Sequence, residues 1–139
     1  MTSIVMDASV IASWFFYDEA HGIHARLLDH IDKLKIHVPS IFEHEFMNIL
    51  LMAEKRGRLN HETQKNILAI VSHYPLSIEP STVMLIVKIN VLEMARTYHL
   101  TAYDAAYLEL AISLGKVPLI TYDKSLLQTA KKLKLKTNL

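Results

Sequence analysis

Cysteine is missing from this sequence altogether. That excludes a disulfide framework, a zinc–thiolate site and a cysteine nucleophile, and makes a reducing, intracellular setting the default. Glycine is nearly as scarce. Gly22, Gly57 and Gly115 are the only three, so neither a G-x-G-x-x-G turn nor a Walker loop can be written, and any phosphate chemistry must rest on side chains. No run of about 18 apolar residues occurs, and the opening MTSIVMDASV lacks a basic segment followed by an apolar one. Neither membrane spanning nor secretion is expected, which leaves the cytoplasm as the expected location. A surplus of one charge sign is lacking too, with 15 Lys and Arg against 14 Asp and Glu, so net charge argues neither for nor against a polyanionic partner. The distribution is less even. No acid follows Asp123, whereas Lys124, Lys131, Lys132, Lys134 and Lys136 do, a basic segment that reads first as a solvated helix face and second as an attractor of phosphates.

What is present describes one globular domain over residues 1–139, with 51% apolar residues and enough chain to bury roughly 68% of its unfolded surface. Ser3 to Asp7 reads as a strand and Ala8 to Phe16 as a short helix. Glu19 to Lys33 carries Ile23, Leu27, Leu28 and Ile31 at helical spacing, and Ile36 to Val38 before Pro39 reads as a second strand. Ser40-Ile41-Phe42-Glu43 fits a capping box for a helix to about Arg56, and Asn60 caps the next, to about Tyr74; the two form a hairpin. Leu76 to Ile78 is a third strand, and Pro80 opens a helix with Val83, Val87, Val91, Leu92 and Ala95 that ends near His99. Thr101 caps a helix ending near Leu114, Pro118 to Tyr122 is the last strand, and Ser125 to Leu133 the last helix. Strands alternating with helices imply an α/β fold, a short, mostly parallel sheet flanked by helices on both faces.

Four acids stand apart from solvent-facing positions. Asp7 and Asp123 follow strands, at the carboxyl ends where open parallel sheets form their ligand crevice. Glu45 shares a helix face with Phe42, Phe46, Ile49 and Leu50, an expensive place for an ionised group unless it is compensated. Asp104 lies in the first turn after Thr101 and complements the helix dipole. Each taken singly has a plain structural reading. Gathered in one crevice, four carboxylates raise one another's pKa unless a cation neutralises them, and oxygen-only ligands select Mg²⁺ or Mn²⁺. Such a site suits phosphodiester hydrolysis by an activated water. Ser9, Asn48 and Thr121 are the small polar neighbours that can orient the acids or bind phosphate.

At these residues the sequence resembles a PIN domain, and more narrowly the VapC-type toxin ribonucleases. The resemblance rests on VMDASV with Asp7, VPSIFEHEFMNIL with Glu45 and Asn48, RGRL at Arg56 to Leu59, TAYDAAYLELA with Asp104, and LITYDKSL with Thr121 and Asp123. It implies a Mg²⁺- or Mn²⁺-dependent endoribonuclease, commonly a homodimer, with Asp7, Glu45, Asp104 and Asp123 as catalytic and metal-holding residues. It also implies a cognate VapB-like antitoxin that occupies the acidic groove, where a guanidinium can pair with the carboxylates. Candidates for RNA contact are Arg56, Arg58 and Lys124. Of the adjacent acids, Glu45 rather than Glu43 is expected to point inward, because the capping box uses Glu43.

Other readings weigh less. His44-Glu45-Phe46-Met47-Asn48 falls one residue short of H-E-x-x-H, so a zinc-protease site is discarded. His21 and His24 share a helix face and read as a solvated pair. Trp14, Phe15, Phe16 and Tyr17 read as core or a dimer contact before they read as base-stacking residues. Arg56 and Arg58 flank Gly57 after a helix end, which favours cations in any case. A phosphotransfer enzyme with Asp7 as nucleophile would carry an acidic pair or a D-x-D, and Asp7-Ala8-Ser9 supplies neither. The alternative from another class is a catalytically silent PIN-like module that acts through a protein partner.

Overall fold

The computed structural model describes residues 1–16, 22, 24–80 and 89–139. In chain order its elements are β1 (Thr2–Met6), α1 (Ala8–Ser13), a 3-10 segment (Ala25–Lys33), β2 (Leu34–Val38), α2 (Phe42–Lys55) and α3 (His61–Val71), followed by β3 (Leu76–Ile78), α4 (Ile89–Tyr98), α5 (Ala102–Ser113), β4 (Leu119–Ile120) and α6 (Lys124–Lys132). The strands form one sheet in the order β3-β2-β1-β4, and every pairing is parallel. Ile4 lies beside Ile36, Ile36 beside Leu76, and Val5 beside Leu119.

Side chains alternate across a strand, and β1 divides the core accordingly. Ile4 and Met6 join Ile36, Phe42, Phe46, Leu50, Ile67 and Val71 in a cluster built with α1, α2 and α3. Val5 joins Ala105, Leu108, Ala111, Leu126 and Ala130 in a second cluster built with α5 and α6. The sheet is therefore covered on both faces, as a parallel sheet requires. Strand order reverses beside β1: the chain crosses to β2 on one side and returns to β4 on the other. At such a switch point the loops leaving the carboxyl ends of neighbouring strands part to opposite faces and leave a crevice. Here those strands are β1 and β4, laced by Val5 N–H to Pro118 O at 2.8 Å and Asp7 N–H to Ile120 O at 3.0 Å.

Several local expectations hold. Asn60 Oδ1 accepts the Thr63 N–H at 2.9 Å and Thr101 Oγ1 accepts the Asp104 N–H at 3.1 Å, so both residues cap their helices. The α2–α3 hairpin is tied by Gln64, whose buried side chain donates to Leu50 O at 3.1 Å.

Others are corrected. Ser40 is not the cap of α2, which begins at Phe42 after Ile41 in helical conformation, with no side-chain cap bond. Pro39 explains this, because its carbonyl accepts the Phe42 N–H at 3.0 Å and meets a need the serine would have met. The helix expected over Glu19 to Lys33 lies partly outside the described residues, and its described half is a 3-10 segment bent at His30. Leu28 and Ile31, on either side of that bend, both pack on the core, so their spacing does not distinguish this bent segment from a regular helix. Val83 and Val87 also lie outside the described residues; in α4, Val91 and Ala95 pack inward while Leu92 is 54% exposed. The last strand stops at Ile120 because Thr121 Oγ1 accepts the Asp123 N–H at 3.0 Å and turns the chain into α6.

Gly57 ends α2 at φ +73°, with Gly57 N–H bonded to Glu54 O and Arg58 N–H to Ala53 O, the paired bonds of a Schellman motif. A Cβ there meets no atom within 4 Å, so its cost is conformational alone. Gly57→Ala is expected to destabilise the fold by about 1 kcal/mol, read as a lowered urea midpoint with an unchanged slope.

Candidate active site

Asp7 is the first residue beyond β1. It holds an extended conformation (φ −68°, ψ 145°) ahead of α1 and is only 8% exposed. Its Oδ2 accepts the Thr121 hydroxyl at 3.0 Å, and the nearby backbone N–H groups of Ser9 and Ala8 favour its ionised form. Thr121 continues from the end of β4, so the acid of one strand is held by the hydroxyl of its neighbour. The same hydroxyl accepts the Asp123 N–H, and Asp123 Oδ1 accepts the Leu126 N–H at 2.8 Å to cap α6. Glu45 projects from α2, where its Oε1 accepts the Tyr107 hydroxyl at 2.7 Å. Asp104 sits in the first turn of α5 above its Thr101 cap.

These four acids, from four separate elements, line one open cleft of about 720 Å³. Ser9, Asn48, Arg56 and Arg58 line it as well, together with Phe16, Ile49, Met52 and Tyr122. Thr121 is buried behind the wall and acts through Asp7. Lys124, exposed at the start of α6, does not line the cleft. Glu45 is the inward-facing glutamate, and Glu43 is exposed along another depression beside Ile78 and Pro80. The reason is helical phase rather than a capping box, since Glu45 lies one turn before Ile49 on the cleft side of α2.

The electrostatics reflect like charges crowded around Asp7, which is buried, and Glu45 and Asp104, which are half-buried; Asp123, expected with the others to stand apart from solvent, is exposed because it lies in the turn that opens α6. Burial raises the pKa of Asp7 above the usual carboxylate range and Asp123 raises it further, while the Thr121 and backbone hydrogen bonds pull it back. Burial also raises Glu45; the Tyr107 hydrogen bond opposes this, and the charges of Asp7 and Asp104 add to it. Asp104 is raised by burial and then by Asp123 and Asp7. The acids thus feel one another across the cleft. Even so, among the described residues no group of three or more His, Cys, Asp or Glu side chains is arranged to hold a metal ion. They face a shared space instead of closing a cage.

With the geometry in place, comparison with known proteins settles the family. The model of the PIN domain family matches residues 4–132, a span that contains all four acids. The chain belongs to the PIN domain family. As a PIN domain it has a nuclease-type fold, and it is similar to the crystal structure of PAE2754 from Pyrobaculum aerophilum, with a TM-score of 0.69 and 24% identity over 99% of this chain and 90% of that one. At that identity the likeness speaks for the fold. No curated protein sequence matches this PIN domain significantly.

Two residues of the site escape a reading of the sequence. Tyr107 is fully buried among apolar neighbours of α5, where a tyrosine looks like core; its hydroxyl, kept protonated by burial and by the adjacent Glu45, is nonetheless the donor that orients that acid. Its position three residues after Asp104 is the only signal, and only for a reader who already knows which face meets Glu45. Tyr122 lines the cleft and holds His24 at the start of the 3-10 segment, accepting the His24 N–H at 3.3 Å and packing its ring 5.1 Å from the imidazole. His24 is consequently buried at 6% exposure rather than solvated, and His21 lies outside the described residues. Trp14 and Phe16 belong to the core and Phe15 packs against it, while Tyr17 lies outside the described residues.

A carboxyl whose folded pKa exceeds its unfolded one binds more protons when folded, so stability falls as pH rises through that window. Asp104→Asn removes this cost. The variant is expected to raise the melting temperature of the metal-free PIN domain at neutral pH, with the gain disappearing in acid where the wild-type carboxyl is protonated; thermal melts across pH check it. Tyr107→Phe leaves Glu45 without its donor and is expected to cost about 1–2 kcal/mol in urea unfolding.

Proposed function

We propose that this PIN domain is a metal-dependent endoribonuclease of the VapC toxin type, hydrolysing RNA phosphodiesters with Mg²⁺ or Mn²⁺. The observation that carries the reading is the convergence of Asp7, Glu45, Asp104 and Asp123 on one cleft at the switch point of a nuclease-type fold. The donor set fits such an ion. It is oxygen-only, and Mg²⁺ commonly keeps several waters and takes one or two carboxylates plus substrate phosphate instead of a full protein cage. Acids that share a cleft without closing on one point suit that habit. When bound, the ion supplies charge neutralisation and activation of water for attack on phosphorus.

The chain's own residues have distinct duties in this reading. Asp7, held by the Thr121 hydroxyl, is the rigid anchor for the cation. Glu45 has Oε1 occupied by Tyr107, which leaves Oε2 to accept a proton from water or to approach the ion. Asp104 and Asp123 complete the negative wall, and Ser9 and Asn48 place hydrogen-bonding groups on the cleft surface for a phosphate. A small VapB-like antitoxin that presents a guanidinium to these acids, a homodimeric assembly and a cytoplasmic site of action belong to the same proposal. They rest on the resemblance of the motifs.

The test is cleavage of a mixed structured-RNA pool with Mg²⁺ or Mn²⁺. Wild type is expected to cut, EDTA to abolish the cuts, and Asp7→Asn to lower the rate at least about 100-fold while its circular dichroism stays native and its melting temperature does not fall. Mn²⁺ alone is expected to raise the melting temperature of wild type more than that of Asp7→Asn. A wild type that neither cuts RNA nor responds to Mn²⁺ would favour the silent binding module.

A further inference from the structure

The cleft is electrically polar along its length. On α2, Glu45, Asn48, Ile49, Met52, Ala53 and Arg56 recur at helical spacing and all line it; from Glu45 to Arg56 the helix rises roughly 16 Å. The acids gather at the Glu45 end. At the other end Arg56 and Arg58 line the wall, separated from the acids by the apolar surface of Ile49, Met52 and Ala53. The guanidinium carbon of Arg58 stands 4.2 Å from the ring centroid of Phe16, a 94%-buried member of the core. Gly57 at φ +73° reverses the chain between the two arginines and lets both reach the same wall.

We propose that Arg56 and Arg58, the latter steadied on Phe16, form a phosphate subsite for a nucleotide beyond the one adjacent to the scissile phosphate, so that single-stranded RNA lies along α2 with its reacting phosphate at the acidic end. This rests on the ribonuclease reading and adds where the strand runs. The separation of the two ends exceeds one nucleotide unit, so one strand can meet both. The bare acids repel RNA, which makes the arginine end the place where a phosphodiester is attracted before and independently of any ion. A guanidinium laid on a rigid ring is held in a fixed orientation at the cleft wall, which the point charge of a lysine would not be. The helix C-terminus accounts for a preference for cations after α2. It does not account for stacking on Phe16 or for the placement of both arginines on the cleft wall.

Binding and cleavage separate the possibilities. The binding probe is a fluorescein-labelled oligouridylate of roughly twelve nucleotides, within the usual footprint of single-strand binders, titrated by anisotropy in EDTA at several salt concentrations. Arg58→Gln and Arg56→Gln are each expected to weaken binding about 3–10-fold and to flatten the slope of log K against log salt by about 0.7. Arg58→Lys and Phe16→Leu should keep that slope while losing part of the affinity, a difference that a purely structural role for the arginine would not produce. In Mn²⁺-dependent cleavage the glutamine variants should raise KM with little change in kcat. If wild type cuts RNA and both glutamine variants match it in affinity, slope and KM, the subsite is refuted, the ribonuclease reading stands, and a protein carboxylate becomes the better partner for these arginines. If wild type neither binds nor cuts, both fall together. Should Arg58→Gln or Phe16→Leu fail to fold, Arg56→Gln and Arg58→Lys still decide the matter.

Discussion

The hydrogen bond from Thr121 Oγ1 to Asp7 Oδ2 joins the ends of the two strands between which the cleft opens. Parallel pairing of β1 with β4 brings these residues together across most of the chain, and the switch in strand order leaves empty space above them. The same hydroxyl accepts the Asp123 N–H, and Asp123 in turn caps α6. One side chain thus holds the first acid, aims the loop that carries the last, and sets where the final helix begins. A buried carboxylate is costly unless its oxygens are met, and this arrangement meets those of Asp7 without neutralising its charge. The residual electrostatic strain is what a cation would relieve.

Glu45 solves the same problem differently. It stands on a helix face that also brings Ile49 and Met52 to the cleft, and its carboxylate accepts the hydroxyl of Tyr107 from the helix packed on the opposite face of the sheet. The site's floor therefore takes one polar group from the core cluster around α5, Tyr107, and one from the end of β4, the buried Thr121. Among the described residues no buried side-chain nitrogen or oxygen lacks a partner. Among these residues the unrelieved electrostatic cost is the mutual repulsion of the acids in the cleft.

Much of the fold is legible in local pattern. The alternation in β1, the caps at Asn60 and Thr101 and the turn at Gly57 each depend on interactions within a few residues. The misreadings share a cause. At Ser40 a backbone carbonyl from Pro39 took over the role expected of a side chain. At Leu28 and Ile31 a spacing common to two helix types was read as the commoner one, and at Thr121 a hydroxyl turned the chain two residues earlier than apolar run length suggests. Each choice between near-equal local conformations was made by a neighbour that propensity does not see.

For the site, residue type and local position were enough to single out Asp7, Glu45 and Asp123, because a carboxylate at the end of a buried strand or on an apolar helix face is conspicuous against its surroundings, whereas Asp104, an ordinary first-turn acid, stood out only together with the others and in the motif TAYDAAYLELA. Their number, order and local settings were determined by the sequence by itself, as was the exclusion of thiolate and glycine-loop chemistry. Only the tertiary structure decided that the four share one cleft without closing into a cage, that a core tyrosine holds one of them, and that Arg58 rests on Phe16 at the cleft's far end. Those facts depend on contacts between residues dozens of positions apart, and such contacts are set by how the helices pack across the sheet, which no local pattern encodes.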